Sequence, residues 1–270
     1  MRTGMSSLLS LSVVSATAFL LACGSTASNS PPTTLSSLGT SLAGDVTVEL
    51  LTGTKLETGM NAIYLKLTDA SGNPVTDATV AFIPMMYMST GMNHSSPVYG
   101  PPALDANGMY RCDAVFQMPS GDTGYWDMQV TVERPGAAKV EAVFPKMNVT
   151  DSGRSATFLY TDPVTSVATK YVVSMNFASA PKVGLNPIII SVNSKQDMMT
   201  FPPVDGLQFI LDPQMPSMGH GSPGSVNPTP TTSGLYSGKL SFSMTGPWET
   251  TVTISKDGVE LGKPVFKTTF

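Results

Sequence analysis

Hydrophobic and polar residues alternate along most of the chain that follows residue 44. Ile63, Leu65 and Leu67 occupy every second position of one such segment, with polar or amphipathic side chains between them. The same period of two recurs over residues 110–116, 126–132, 188–192 and 207–211. This period is typical of β-strands with one buried face. Turn signals rich in Gly, Asn and Pro separate the segments, and beyond the N-terminal leader no run of about ten residues has a helical period, so the sequence predicts an all-β fold.

An internal repeat divides this region into two copies. Residues 59–63 (Gly-Met-Asn-Ala-Ile) match residues 184–188 (Gly-Leu-Asn-Pro-Ile) at an offset of 125 positions. The repeat also places both histidines and both tryptophans of the chain at equivalent positions: His94 with His220, and Trp126 with Trp248. Each copy is long enough for about seven short strands, which is the size of an immunoglobulin-like β-sandwich. We therefore predict two tandem domains of this type, over residues 45–150 and 155–270, with the polar segment between them as the boundary.

The N-terminal segment has the features of a secretion signal. Arg2 is the only charged residue among the first 44, and an apolar run from Leu8 to Ala22 follows it. This run is shorter than the ~20 residues that a membrane-spanning helix needs. It predicts a signal peptide over residues 1–22. The run ends in Leu-Leu-Ala-Cys-Gly, which resembles the lipobox of bacterial lipoproteins and implies that Cys23 carries the lipid. The alternative is an ordinary signal peptide with a chance cysteine.

Residues 23–44 are rich in Ser, Thr, Gly, Ala and Pro and show no apolar period. This composition predicts a flexible tether between the lipidated Cys23 and the folded domains. Two or more acyl chains on one residue would attach the protein to a membrane without a spanning helix. Because Gly24 rather than Asp follows the cysteine, the lipoprotein resemblance implies the outer membrane, with the protein facing the periplasm or the cell surface.

Charge and cysteine content exclude several classes of function. Charged residues make up 13% of the chain, against ~25% in ordinary soluble domains, and the net charge is −4. No basic stripe is present, which argues against nucleic-acid binding. Two cysteines rule out a disulfide scaffold or a multi-cysteine zinc site. No nucleophile elbow, zinc-protease motif or P-loop occurs, and one histidine per copy offers little acid–base machinery, so we predict that the protein is not an enzyme.

The candidate chemistry lies in a loop of each copy that ends in Met-x-His and then Ser-Pro. Thioether sulfur is soft and prefers Cu(I), and imidazole is a compatible ligand. Residues two apart in an extended segment point the same way, so the Met and His of each pair could bind one ion. A methionine upstream in each loop could add a third ligand, and Met85 or Met86 could replace Met88 in this role. The candidate Cu(I) ligands are Met88, Met92, His94, Met215, Met218 and His220.

Structural packing is the alternative for these loops, because methionine fills irregular gaps and histidine can hydrogen-bond to the loop backbone. A recognition loop for a small molecule or an envelope protein is a further alternative.

Trp126 and Trp248 are predicted to be core residues on strands. Cys112 lies on the inward face of its strand and has no partner if Cys23 is acylated, so we predict a buried structural thiol, with a copper or redox role as the alternative.

The order of motifs in the chain resembles the YtkA-like domain, which is related to FixH-type periplasmic modules. The motifs are a proline- and methionine-rich loop with Met-Gly-His-Gly-Ser-Pro, then a Gly-x-Tyr strand, then a Met-x-x-x-Trp strand. Met215, Met218 and His220 match the family loop directly. The first copy departs from the pattern, with Asn93 and Ser95 in place of two glycines. The resemblance implies an extracytoplasmic immunoglobulin-like fold, and some relatives accompany copper handling.

These observations predict a lipid-anchored, extracytoplasmic binding protein in which a loop of each domain binds Cu(I). The alternative is a structural or protein-interaction module of the cell envelope that holds no metal. The expected partners are the membrane, through the lipid anchor, and either a metal ion or another envelope protein.

Overall fold

The structure is a computed structural model that describes residues 34–270 of the 270-residue chain. The predicted signal peptide over residues 1–22, the lipidation site Cys23 and the first part of the predicted tether lie outside the described residues. Between residues 34 and 270 the chain forms β-strands and no helix, which confirms the all-β prediction. Accordingly, this range holds no helix that could cross a membrane.

The first half of the described chain folds into a β-sandwich. A sheet of five antiparallel strands in the order β1-β2-β3-β7-β6 packs against a sheet of four in the order β5-β4-β8-β9. The strands are β1 (Ser36–Ala43), β2 (Val46–Thr52), β3 (Gly59–Thr68), β4 (Thr79–Met88), β5 (Asn93–His94), β6 (Val98–Leu104), β7 (Tyr110–Phe116), β8 (Gly124–Glu133) and β9 (Val140–Met147).

The second half repeats this architecture. Its five-stranded sheet has the order β10-β11-β12-β16-β15, and its second sheet has the order β14-β13-β17-β18, with β19 also paired to β17. The strands are β10 (Ser155–Thr161), β11 (Ala168–Phe177), β12 (Gly184–Lys195), β13 (Leu207–Met215), β14 (His220–Gly221), β15 (Val226–Thr232), β16 (Leu235–Phe242), β17 (Pro247–Lys256), β18 (Val259–Gly262) and β19 (Val265–Thr269). Two tandem immunoglobulin-like sandwiches are therefore confirmed.

The cores follow from the alternation in the sequence. Along β8, the side chains of Trp126, Met128, Val130 and Val132 are fully buried, whereas the residues between them are partly exposed. Every second side chain therefore enters the space between the sheets, and burial of this apolar surface supplies most of the driving force for folding. Cys112 lies in the same core as a free, buried thiol.

The predicted flexible tether over residues 23–44 is wrong for its last part, because Ser36–Ala43 form the edge strand β1. Strand β1 pairs along most of its length with β2, and Leu38 packs against the core while Ala43 is fully buried. Its small polar side chains hide this strand from hydrophobic patterning, since backbone hydrogen bonds to β2 hold it in place. Edge strands and two-residue strands such as β5 also raise the number of strands above the seven predicted for each domain.

The two sandwiches dock against each other through defined contacts. A small apolar cluster at the junction consists of Met60, Tyr99, Val115, Val172 and Phe201. The hydroxyl of Tyr99 donates a hydrogen bond of 2.6 Å to Oδ1 of Asn193 in the second sandwich. The chain between the sandwiches is also fixed, since the Ser152 hydroxyl donates to the carbonyl of Thr58 at 2.6 Å. The described residues accordingly form one compact unit.

Candidate functional site

The methionine–histidine loop of the first sandwich is a tight turn from β4 to β5. The amide of Gly91 donates to the carbonyl of Met88, and the amide of Met88 donates to the carbonyl of Met92, each at 2.9 Å. Strand β5 then pairs with β4 so that His94 lies opposite Met86. The turn thus returns His94 to the sheet edge beside the methionine-rich end of β4.

The second sandwich builds the same loop from β13 to β14. The amides of Met218 and Gly219 both donate to the carbonyl of Met215 at 3.0 Å. His220 then lies opposite Met215 in the strand register. His220 is therefore the structural counterpart of His94, and Met215 corresponds to Met86 rather than to Met88.

Each histidine is oriented by the backbone carbonyl of the residue that follows it. Nδ1 of His94 lies 2.8 Å from the carbonyl oxygen of Ser95, and Nδ1 of His220 lies 3.1 Å from that of Gly221. A carbonyl can only accept, so Nδ1 of each ring carries the proton and donates it. In a neutral ring this leaves the lone pair on Nε2, which is the tautomer that metal-binding histidines use when a backbone carbonyl orients them.

Burial lowers the pKa of His94 below its usual 6.5, and the charges of Lys195 and Lys170 lower it further, while the hydrogen bond to Ser95 acts in the opposite direction. The net effect keeps the His94 imidazole neutral at pH 7. A neutral imidazole is the form that binds a metal ion.

Both tryptophans lie beneath the histidines and are buried. The Trp248 ring is edge-on to His220 with 5.8 Å between centroids. The indole N–H of Trp126 donates to the carbonyl of Met118 at 2.9 Å, and that of Trp248 donates to the carbonyl of Met244 at 3.0 Å. Each tryptophan therefore contacts the histidine of its own sandwich through its ring. Its indole N–H is bonded to the backbone of a methionine in the connection that precedes the tryptophan's strand.

The predicted ligand methionines occupy different environments. Met215 is 2% exposed and belongs to the second hydrophobic core, which is the place that the packing alternative assigns to it. Met218 and Met92 are 60% and 50% exposed at the tips of their loops. Met88 is half-buried against the first core. In the second sandwich, the upstream methionine therefore packs, and only Met218 and His220 remain accessible.

In the first sandwich the predicted ligands Met88, Met92 and His94 line a single pocket of about 360 Å³, which we call the junction pocket. It lies between the two sandwiches, because residues of both contribute its walls. The remaining lining residues are Gln117, Met118, Thr157, Lys170, Lys195 and Met198. Four methionines and one histidine thus line one pocket.

Two of these methionines were not predicted. Met118 follows the strand that precedes Trp126, and its repeat counterpart Met244 precedes Trp248, so the internal repeat already carried a signal for it. Met198 carried none, because it belongs to the second sandwich and only the docking of the two domains brings it to the His94 loop.

The second sandwich has no equivalent gathering in its described pockets. The pocket beside its loop, of about 510 Å³, is lined by residues 210–214, 221–225 and 227, and none of these is a methionine or a histidine. Across residues 34–270, no three His, Cys, Asp or Glu side chains are grouped so that they could hold a metal ion.

Cys112 lines neither the junction pocket nor the pocket beside the loop of the second sandwich. Burial raises the pKa of its thiol to about 12, with a smaller contribution from Asp113. The thiol is therefore protonated at neutral pH and is a weak metal ligand or nucleophile in this form.

Two solved structures resemble the chain at low identity. One is FdeC, an adhesin of Escherichia coli, at 14% identity and a TM-score of 0.26, covering 84% of this chain and 64% of that one. The other is invasin, a bacterial integrin-binding protein, at 16% identity and a TM-score of 0.22, covering 88% of this chain and 39% of that one. The chain thus spans less than two thirds of either protein. No curated protein sequence matches it.

The family model described as YtkA-like matches residues 40–131 and 165–253. Each match falls on one of the two sandwiches, and together they cover about two thirds of the chain. The match to residues 40–131 begins within β1 and includes the His94 loop and Trp126, and the second includes the His220 loop and Trp248. The chain therefore belongs to the YtkA-like family and contains two tandem YtkA-like domains.

Proposed function

We propose that this protein is a lipid-anchored, extracytoplasmic binding protein that holds Cu(I) in the junction pocket. The observation that carries the proposal is the convergence of Met88, Met92 and His94, three candidate ligands from the sequence, on one pocket with two further thioethers. Binding, rather than catalysis, is the activity that these groups suit.

The donor set favours a soft, monovalent ion. Thioethers are neutral and polarisable, so they bind Cu(I) in preference to hard divalent ions that need carboxylate or water ligands. His94 adds a neutral imidazole whose Nδ1 is already engaged by a backbone carbonyl, which is the usual support of a metal-binding histidine.

Two lysines in the pocket wall strengthen this selectivity. Lys170 and Lys195 bring positive charge, and no carboxylate is among the residues that line the pocket. Repulsion of a bound cation by fixed charges is proportional to the charge of the ion, so a divalent ion is penalised about twice as much as Cu(I). The pocket therefore suits Cu(I) better than Zn²⁺ or Cu²⁺.

The proposed location rests on the N-terminal sequence. Leu-Leu-Ala-Cys-Gly after an apolar run supports cleavage before Cys23 and acylation of that residue. Attachment to the outer membrane, with the domains in the periplasm or at the cell surface, follows from Gly24. Outside the cytoplasm, secreted thioether sites do not compete with a large pool of glutathione.

A structural or protein-interaction module of the envelope is the second candidate function. It is favoured by the second loop, where Met215 is buried in the core and the neighbouring pocket lacks soft ligands. Under this alternative both loops serve packing alone, and the junction between the sandwiches serves to present a rigid surface.

A Cu(I) titration of the full-length protein against a colorimetric Cu(I) chelator, without oxygen, tests the proposal. We expect His94→Ala to lower the affinity by at least about tenfold, as removal of metal-site residues does elsewhere. His220→Ala is the matched control and should leave the affinity unchanged. Absence of Cu(I) binding, or equal affinity of His94→Ala and wild type, would show that the proposal is wrong.

Lipid attachment needs a separate experiment. Cells that express the protein are labelled with radioactive palmitate, and the wild type is compared with Cys23→Ala. We expect labelling of the wild type alone. Undiminished labelling of Cys23→Ala would contradict acylation at this residue, and it would leave the metal proposal to its own test.

A further inference from the structure

We infer that Met198, a residue of the second sandwich, is a ligand of the Cu(I) site in the first, so that the bound ion bridges the two domains. This inference rests on the function proposed above and specifies how the site is completed. It also makes the docking of the sandwiches a requirement for full affinity.

The turn that carries Met198 has a defined shape. It directly follows β12, and the amide of Gln196 donates to the carbonyl of Thr200 at 3.0 Å. The carboxylate of Asp197 accepts hydrogen bonds from the amides of Met199 and Thr200 at 2.7 Å each. The backbone on both sides of Met198 is therefore held without help from any ligand.

A backbone hydrogen bond between the sandwiches places this turn beside His94. The amide of Ser95 donates to the carbonyl of Met198 at 2.8 Å. The carbonyl of the same Ser95 accepts the Nδ1 proton of His94. Ser95 thus connects the imidazole of the first sandwich to the backbone of the methionine in the second, and His94 and Met198 both line the junction pocket.

The thioether of Met198 is available to a ligand. Its side chain is 44% exposed and lines the junction pocket with Met88 and Met92. Its sulfur lies 3.1 Å from Nζ of Lys195 and no closer partner competes for it among the described hydrogen bonds. An ammonium–thioether contact is weak, so Cu(I) can displace it and release Lys195 to solvent.

The corresponding turn of the first sandwich serves as an internal comparison. It follows β3, and Asp69 accepts from the amides of Ser71 and Asn73 at 2.9 and 2.8 Å, much as Asp197 does. No methionine occurs over residues 69–73. The two copies therefore share the turn but not its sulfur, and the methionine is present only where the turn meets a histidine loop.

The docking of the two sandwiches favours Cu(I) affinity at a site formed by residues of both. Because Tyr99, Asn193 and the junction cluster already hold the sandwiches together, Met198 does not have to be recruited when the ion binds. Ligands held in place before binding lose less conformational freedom, which favours affinity. In return, an ion bound by both sandwiches resists their separation and stabilises the docked state.

Full-length Met198→Leu is the test variant, since leucine keeps the apolar bulk and removes the sulfur. Met199→Leu is the matched control, because Met199 is adjacent and exposed but does not line the junction pocket. His94→Ala reports on the proposed function itself. The measurements are Cu(I) affinity by chelator competition and the number of sulfur ligands by X-ray absorption at the copper edge.

We expect Met198→Leu to weaken Cu(I) binding by about tenfold or more and to remove one sulfur from the coordination shell, with Met199→Leu like the wild type. If Met198→Leu binds like the wild type while His94→Ala does not, the interdomain ligand is refuted and the Cu(I) function stands. If the wild type itself does not bind Cu(I), both are refuted. Equal losses in Met198→Leu and Met199→Leu, with an unchanged sulfur count, would also overturn the inference.

Discussion

The imidazole of His94 stands edge-on to the indole of Trp126, with 5.7 Å between the ring centroids and 88° between the planes. Trp126 is fully buried and its indole N–H donates to the carbonyl of Met118, so the indole has a fixed position against which the imidazole packs. Edge-to-face contacts of this kind favour one ring orientation over its alternatives. With Nδ1 held by Ser95, His94 is oriented before any ligand arrives, as a preformed binding site requires.

The neutral state of His94 makes stability depend on pH. Burial, followed by the charges of Lys195 and Lys170, lowers its pKa in the folded protein below 6.5. Between the two pKa values the unfolded chain binds more protons than the folded one. The free energy of unfolding therefore falls as the pH drops through about 6.5 towards the folded-state pKa, and this contribution is fully present above that range.

Urea unfolding of the metal-free protein at about pH 7.5 and about pH 5 measures this dependence. We expect His94→Gln to lose part of the pH-dependent difference in free energy of unfolding. His220→Gln is the control, because it removes the equivalent side chain and leaves the contribution of His94 in place. A His94→Gln variant with the full wild-type difference would contradict the assignment of the pKa shift to this residue.

Removing a lysine from the junction pocket should raise Cu(I) affinity, whereas removing a ligand residue should lower it. Lys195→Gln removes a positive charge beside the site and is expected to raise Cu(I) affinity by about fivefold, from charge repulsion at several ångströms in a partly solvated site. The gain should shrink as salt is added, because ions screen this repulsion. Lys239→Gln, at an exposed position on β16, is the matched control. Weaker Cu(I) binding by Lys195→Gln would contradict this prediction and would mean that Lys195 helps to hold Met198 in place for the ion.

Sequence patterning captured the parts of the fold that depend on alternating apolar side chains. Trp126 and Trp248, both fully buried, follow directly from period-two segments and the repeat. Strand β1 was missed because hydrogen bonds to β2, rather than apolar side chains, define it. Met198 was missed for a different reason. Its role depends on the docking of two domains, and contacts between residues about 100 positions apart leave no local periodicity.

Tyr99 makes one of the polar contacts between the sandwiches. Its hydroxyl donates to Asn193 at 2.6 Å, and burial raises its pKa, so the hydroxyl stays protonated and able to donate. Tyr99→Phe leaves Oδ1 of Asn193 without this donor and is expected to lower the free energy of unfolding by about 1–3 kcal/mol. Tyr125→Phe, at an exposed ring, should change it by less than about 0.5 kcal/mol.

Urea denaturation measures both tyrosine variants. If the junction is cooperative with the two cores, Tyr99→Phe shifts a single transition to lower urea concentration. A second, earlier transition would mean that the sandwiches separate before they unfold. Equal midpoints for Tyr99→Phe and Tyr125→Phe would contradict a structural role for the hydrogen bond to Asn193.

Gly59 lies directly against the segment that leads into the second sandwich. Its φ is +97°, and a Cβ placed on it would lie 2.9 Å from Cβ of Arg154 and 3.0 Å from Oδ1 of Asn176. That same Oδ1 accepts the amide of Met60 at 3.1 Å, so the junction cannot move away without breaking this bond. A methyl group here therefore costs both backbone strain and a disrupted junction.

Gly72 allows the cost of backbone strain to be measured without the cost of steric overlap. Its φ is +83°, but a Cβ on it would meet nothing within 4 Å. We expect Gly72→Ala to lower the free energy of unfolding by about 1–2 kcal/mol, the cost of a left-handed backbone for an L-residue. Gly59→Ala should cost more by about 1–3 kcal/mol, the usual penalty of overpacking. Gly59→Ala should also weaken Cu(I) binding if Met198 must be held against His94, whereas Gly72→Ala should not. Equal effects of both substitutions on unfolding would mean that the approach of Arg154 and Asn176 to Gly59 does not constrain the junction.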